Sequence, residues 1–121
     1  FFRKDESKHI VGCVVYEPGV IDTDGDEADD DVIASGMEHF MKNGAKFNIE
    51  HKGKNVDLVL IENWIARDSF VEGDQMIQKG SWCMSLHVPQ DEVWESIEKG
   101  ELQGFSMEGQ YVREEDTNEN T

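Results

Sequence analysis

A serine set between two glycines, in the run Gly104-Phe105-Ser106-Met107-Glu108-Gly109, is where the sequence offers the clearest chemistry. Read as one strand from Leu102 to Arg113, this segment turns Phe105, Met107 and Tyr111 to one face. Gly104, Ser106, Glu108 and Gln110 then share the other, because side chains alternate along a strand. A polar face opposite an apolar one usually faces solvent. Glycines inside a strand weaken it and often mark where a ligand or another backbone comes close. Ser106 lies between two of them. A serine hydroxyl is a weak nucleophile until a neighbouring base takes its proton, so the next residue to find is a histidine.

There are four. His9 lies in a polar run, His39 within a helical pattern beside core positions, and His87 alternates with Cys83 and Ser85 on a strand. His51 ends a short alternating segment, Lys46 to His51, in which Phe47, Ile49 and His51 share a face. A glycine turn follows at once, and strand ends are where sites assemble on a rigid scaffold. A single histidine is more often structural than catalytic. Serine and histidine need not be close in sequence, since triads assemble in space. Glu108 is the in-chain carboxylate placed to support the base. Two residues apart on a strand, Ser106 and Glu108 would stand about 6.5–7 Å apart, room for an imidazole between them.

Other chemistries are poorly served. Asp22, Asp24 and Asp26 alternate like the start of a calcium loop, but Gly25 is fourth where glycine should be sixth, and Ile33 stands where a bidentate Glu should be. An acidic turn leading into a helix, favoured by the helix dipole, is the better account, so no metal is expected. No His/Cys group has zinc spacing, no glycine loop would cradle phosphate, and no cofactor is expected.

These residues need elements to hold them. Ile10 to Glu17 is β-branched and ends at Pro18-Gly19, which predicts a strand. Val32, Ile33, Met37, Phe40 and Met41 recur at helical spacing from about Asp30 to Lys42, with Asp29 or Asp30 as cap and Asn43-Gly44 as stop. Val56 to Arg67 is a long strand whose centre, LVLI, predicts burial on both faces. Arg67 to Lys79 is a polar connection. In SWCMSLHV, Trp82, Met84, Leu86 and Val88 share one face. Asp91 to Lys99 is a helix with Val93, Trp94 and Ile97 on one side and Gly100 after its end. The order is α+β, expected as a small, mostly antiparallel β-barrel or curled sheet with helices around it. Residues 1–113 form the expected domain and 114–121 an acidic flexible tail.

Composition fits one soluble domain, with 37% hydrophobic and 31% charged residues in 121. The net charge of −16, from 27 acids against 11 bases, argues against nucleic acid and against an anionic membrane surface. Cys13 and Cys83 are expected as free thiols in a reducing cytoplasm. No apolar run is long enough to span a bilayer, and no signal peptide is visible. The start at Phe1 rather than Met fits a trimmed or processed piece of something longer.

Across roughly Gly12 to Val112 the sequence resembles the XkdF-like phage serine proteases, relatives of prohead maturation proteases. The resemblance rests on VYEPGVIDTDGD, a helix ending HFMKN, NIEHKGK, ENWIARDSF, KGSWCMSLHV and DEVWESIEKGELQGFSMEG. It implies an assemblin-like barrel with Ser and His on neighbouring strands. On the matching motifs these are Ser106 of GFSMEG and His51 of NIEHKGK. It implies a serine endopeptidase working through an acyl-enzyme, with backbone N–H groups near a turn, aided by Arg113, holding the oxyanion. The acid has three candidates: Glu108, an acid within Glu114 to Asp116, or a residue outside this sequence. The implied substrates are scaffold protein, capsid-protein extensions and the protease itself, inside an assembling prohead in a bacterial cytoplasm, and a homodimer is a further expectation. The alternative is a protease-like domain kept, without catalysis, as a scaffold or head-assembly module.

Overall fold

The computed structural model describes residues 1–19, 29–105 and 111–112. Along the chain come β1 (Arg3–Asp5), β2 (Ile10–Tyr16), α1 (Asp30–Lys42), β3 (Phe47–His51) and β4 (Lys54–Ile65). There follow β5 (Phe70–Glu72), β6 (Gln75–Ile77), β7 (Trp82–His87), α2 (Asp91–Glu98), β8 (Gly104–Phe105) and β9 (Tyr111–Val112).

One antiparallel sheet carries the fold, in the order β1-β2-β7-β4-β3. Strand β7 is central because every residue from Trp82 to Leu86 is buried. Its Trp82, Met84 and Leu86 face the main core with Val88 just beyond, as the alternation predicts, and Cys83 faces a second cluster on the opposite side. The main core lies between the sheet and both helices. Ile33 from α1 is buried there, with Met37 and Phe40 at its margin and the Phe40 ring 5.6 Å from that of Trp82. Val32 and Met41, expected on the same apolar stripe, are 59% and 49% exposed. From α2, Val93, Trp94 and Ile97 enter. The start of α1 is capped as expected, with the Val32 N–H donating to Asp29 Oδ1 at 3.0 Å.

The α+β class and antiparallel sheet stand, but the barrel does not: among the described residues the sheet is open, with β1 and β3 as its edges. Three further expectations change. The connection Arg67 to Lys79 contains the β5–β6 hairpin, which turns at Gly73 (φ +60°) and places Phe70 opposite Ile77. It covers only the Cys83 end of the outer face, with Phe2, Ala66 and Trp64. The LVLI centre is therefore not buried on both faces: Leu58 is 6% exposed, but Val59 and Ile61 are 48% and 51%. Between Leu60 and Glu62 the register with β7 slips by one residue, so Asn63 turns toward the Trp82 side and Trp64 toward the outer cluster.

The third change bears on the site. Leu102 to Arg113 is not one strand. β8 and β9 pair antiparallel, Gly104 with Val112 and Phe105 with Tyr111, so the chain reverses between them. Ser106 and Glu108, expected about 6.5–7 Å apart on a single strand, fall between β8 and β9 and lie outside the described residues.

Candidate active site

His51 owes its position to the shortest possible connection between β3 and β4. It pairs with Lys54, leaving Lys52 and Gly53 as a two-residue loop with φ +52° and +79°. Positive φ at both positions is the type I′ hairpin signature, whose twist matches that of the strands. Glycine adopts it freely and lysine less so. The register this turn fixes sends Phe47, Ile49 and His51 inward at 4%, 0% and 6% exposure, while Asn48 and Glu50 face out.

A buried imidazole needs polar partners. His51 Nε2 lies 3.1 Å from Oγ of Ser96, itself 4% exposed on the inner face of α2. The Ser96 hydroxyl also lies 3.3 Å from the carbonyl oxygen of Glu92, one turn earlier, in donating geometry. A cavity of about 460 Å³ opens beside this pair. His51, Lys52, Lys54 and Val56 form one wall, and Gln90, Asp91, Glu92 and Val93 the other.

The other histidines have structural duties. The His87 Nδ1–H donates to the Lys8 carbonyl at 3.0 Å. The His9 ring stacks on Trp94 at 4.5 Å, and its carbonyl accepts from the Val88 N–H at 2.8 Å. His39 is exposed on α1. Of the four, only His51 combines burial, a side-chain hydroxyl partner and a cavity wall. Cys13 and Cys83 are free thiols, and both are buried. Burial pushes the Cys13 thiol up to about 12 and that of Cys83 up to about 11, so neither supplies a thiolate near neutrality.

Ser106, Glu108, Arg113 and Glu114 to Asp116 lie outside the described residues, as do most of the acidic run before α1 and the tail 114–121. The approach to Ser106 is described. Phe105 is 2% exposed, with its ring 4.9 Å from that of Phe1 and 6.1 Å from that of Phe47 on β3. Its backbone N–H bonds the Cys13 sulfur on β2. One residue thus ties β8 to two strands of the sheet, and the residue after it is Ser106.

Ser96 escaped the sequence reading. Its signal was there: it stands three residues after Val93 and next to Ile97, a polar residue inside an apolar helical stripe. Among the described residues, no group of three or more His, Cys, Asp or Glu could hold a metal ion.

A family model described as "Putative phage serine protease XkdF" matches residues 1–115. The chain belongs to that family. Over 107 residues it is 36% identical to the phage-like element PBSX protein XkdF of Bacillus subtilis (strain 168), covering 88% of this chain and 38% of that protein. Over 105 residues it is 33% identical to the protein YqbD of the same organism, described as uncharacterized, covering 87% of this chain and 32% of that one. The chain thus spans less than two-fifths of the length of either relative. No solved structure matches. Among the described residues no helix is long and apolar enough to cross a membrane.

Proposed function

We propose that this chain is the catalytic portion of a phage serine endopeptidase, with Ser106 as nucleophile and His51 as general base. The observation that carries the proposal is His51 itself, a buried imidazole with a hydroxyl partner on the wall of a cavity of about 460 Å³. As the Ser106 oxygen attacks the scissile carbonyl carbon, His51 takes the hydroxyl proton. Collapse of the tetrahedral intermediate breaks the C–N bond, and the same proton passes to the leaving amine. Water then repeats the sequence on the acyl-enzyme and frees Ser106. Backbone N–H groups near a turn are the proposed oxyanion donors, assisted by Arg113. Loss of one such donor typically costs about 10²–10³ in rate.

The proposed substrates are scaffold protein, capsid-protein extensions and the chain itself, within an assembling prohead in the bacterial cytoplasm. The assemblin-like placement of Ser and His on neighbouring strands, and pairing of two copies of the chain, belong to the same proposal. The test is reaction of the full-length protein with a fluorophosphonate probe, with the labelled residue mapped by mass spectrometry. Labelling at Ser106 that is lost in Ser106→Ala and strongly slowed in His51→Ala is the expected result. A full-length protein that folds, takes no label and cleaves no capsid or scaffold chain would overturn the reading in favour of a non-catalytic assembly module.

A further inference from the structure

We propose that Lys52 and Lys54 form a subsite that receives an acidic side chain of a bound peptide in the cavity beside His51. This deepens the protease reading, on which it rests in taking the bound peptide to be a substrate.

The hairpin that places His51 also places the two lysines. His51 and Lys54 are cross-strand partners, so their side chains leave the sheet on the same face, with Cβ atoms about 4.5–5.5 Å apart. Val56, two residues further along β4, shares that face. Lys52 stands first in the two-residue loop, at φ +52°. The favoured pair in such a turn is Asn-Gly, because asparagine tolerates the left-handed region better than lysine does. Lysine there costs stability that asparagine would not, and backbone strain of this kind clusters at functional sites. What the lysine supplies in return is a positive charge on the cavity wall.

That charge is uncommitted. Arg3 is bridged to Glu62 and Glu72, and Lys42 to Glu38, but among the described residues neither Lys52 nor Lys54 is in an ion pair. The facing wall carries Asp91 and Glu92. These occupy the first turn of α2, which has no side-chain cap, so unbonded backbone N–H groups and the helix dipole offset part of their charge. The lysines remain as the cations that meet whatever enters a cavity of about 460 Å³, a usual size for a ligand pocket. Val56 and Val93 add an apolar lining. An aspartate or glutamate side chain suits both features, its methylene stem against the valines and its carboxylate at the ammonium groups. In a chain of net charge −16 this pair of cations is a local exception.

The experiment measures binding apart from cleavage. Synthetic peptides, acetylated and amidated at their ends, carry Glu, Gln or Lys at a central position within randomised flanks. Their binding to the full-length protein is followed by fluorescence anisotropy in a Ser106→Ala background, and their cleavage is followed with Ser106 intact. The expected preference for Glu over Gln is about fivefold, the scale of one partly shielded ion pair, with Lys binding most weakly. Lys52→Asn or Lys54→Gln should each reduce that preference to about twofold or less. Lys52→Asn should at the same time raise the urea midpoint, because asparagine relieves the turn, which separates loss of preference from loss of fold. Equal binding of the Glu and Gln peptides, or no binding of either, would overturn the inference. So would a preference that survives both substitutions together. A Glu preference that falls with Lys52 and Lys54, without cleavage of any peptide when Ser106 is intact, would support the subsite and sink the protease reading.

Discussion

Phe105 anchors β8 in the core one residue before Ser106, the proposed nucleophile. It is 2% exposed, its ring packs on Phe1 and Phe47, and its N–H bonds the Cys13 sulfur. Truncation to alanine removes a buried ring between two aromatic neighbours and leaves a cavity that the surrounding structure can only partly close. The expected loss is about 3–5 kcal/mol, the range for buried Phe→Ala changes. A domain of this size has a total stability of roughly 6–18 kcal/mol, so the variant should fold but with a large part of its margin gone. Phe105→Leu keeps most of the volume and should lose less than about 1.5 kcal/mol. Urea unfolding followed by tryptophan fluorescence measures both. The functional consequence is separable, because Phe105→Ala should label more slowly at Ser106 even at urea concentrations where it remains folded. If Phe105→Ala lost less than about 1 kcal/mol, β8 would not be anchored in the core as described.

Gly80 sits at φ +91°, and a Cβ there would meet the Asp30 carboxylate at 2.8 Å. Gly80→Ala should cost about 1–2 kcal/mol in thermal or urea unfolding, almost all of it from the backbone conformation, because the carboxylate can swing away. The cost should therefore persist in an Asp30→Ala background. Stability should also fall in alkali. The folded chain holds the Cys13 proton to about 12 whereas the ordinary thiol value is 9.0, so this contribution is complete below about pH 9 and is lost as pH rises toward 12. The slope is about 1.4 kcal/mol per pH unit for that thiol, and Cys13→Ala should remove it from the urea midpoints. If Glu108 orients the base, Glu108→Gln should slow labelling of Ser106 by orders of magnitude, since a triad Asp→Asn change costs about 10⁴. An unchanged labelling rate would remove Glu108 from the triad.

Long periodic segments were legible in the sequence, and short ones were not. The pattern Ile33, Met37, Phe40 and the Asp29 cap give α1 its observed bounds, Asp30–Lys42. The alternation in SWCMSLHV gives the two faces of β7. Strands β1, β5 and β6 are three residues each, too short for a period of two to stand out from chance. In LVLI the apolar run is present, but what covers its outer face is a matter of tertiary placement. The β5–β6 hairpin lies over Trp64 and Ala66, leaving Val59 and Ile61 half-exposed. The glycines around Ser106 were read as a weakened strand, whereas Gly104 pairs with Val112 across a chain reversal. Glycine signals both, and only the partner strand decides between them.

The site divides along the same line. His51 could be found because its burial follows from local pattern: Phe47, Ile49 and His51 at alternate positions, then a two-residue turn that fixes the register. Ser96 could be noticed only as a polar residue in an apolar stripe, since what makes it matter is a partner 45 positions away. Glu108 was chosen by a distance rule that holds only within one strand, and it lies outside the described residues. The three cases rank the kinds of inference. Periodicity within an element fixes which way a side chain points, and that survives folding. Distances between side chains survive only if the element is continuous. Pairings between elements must come from the fold. For an acid–base site the last kind decides the chemistry, because a histidine's competence depends on which nitrogen holds the proton, and that is set by the partners other elements bring to the ring, as α2 brings Ser96 to His51.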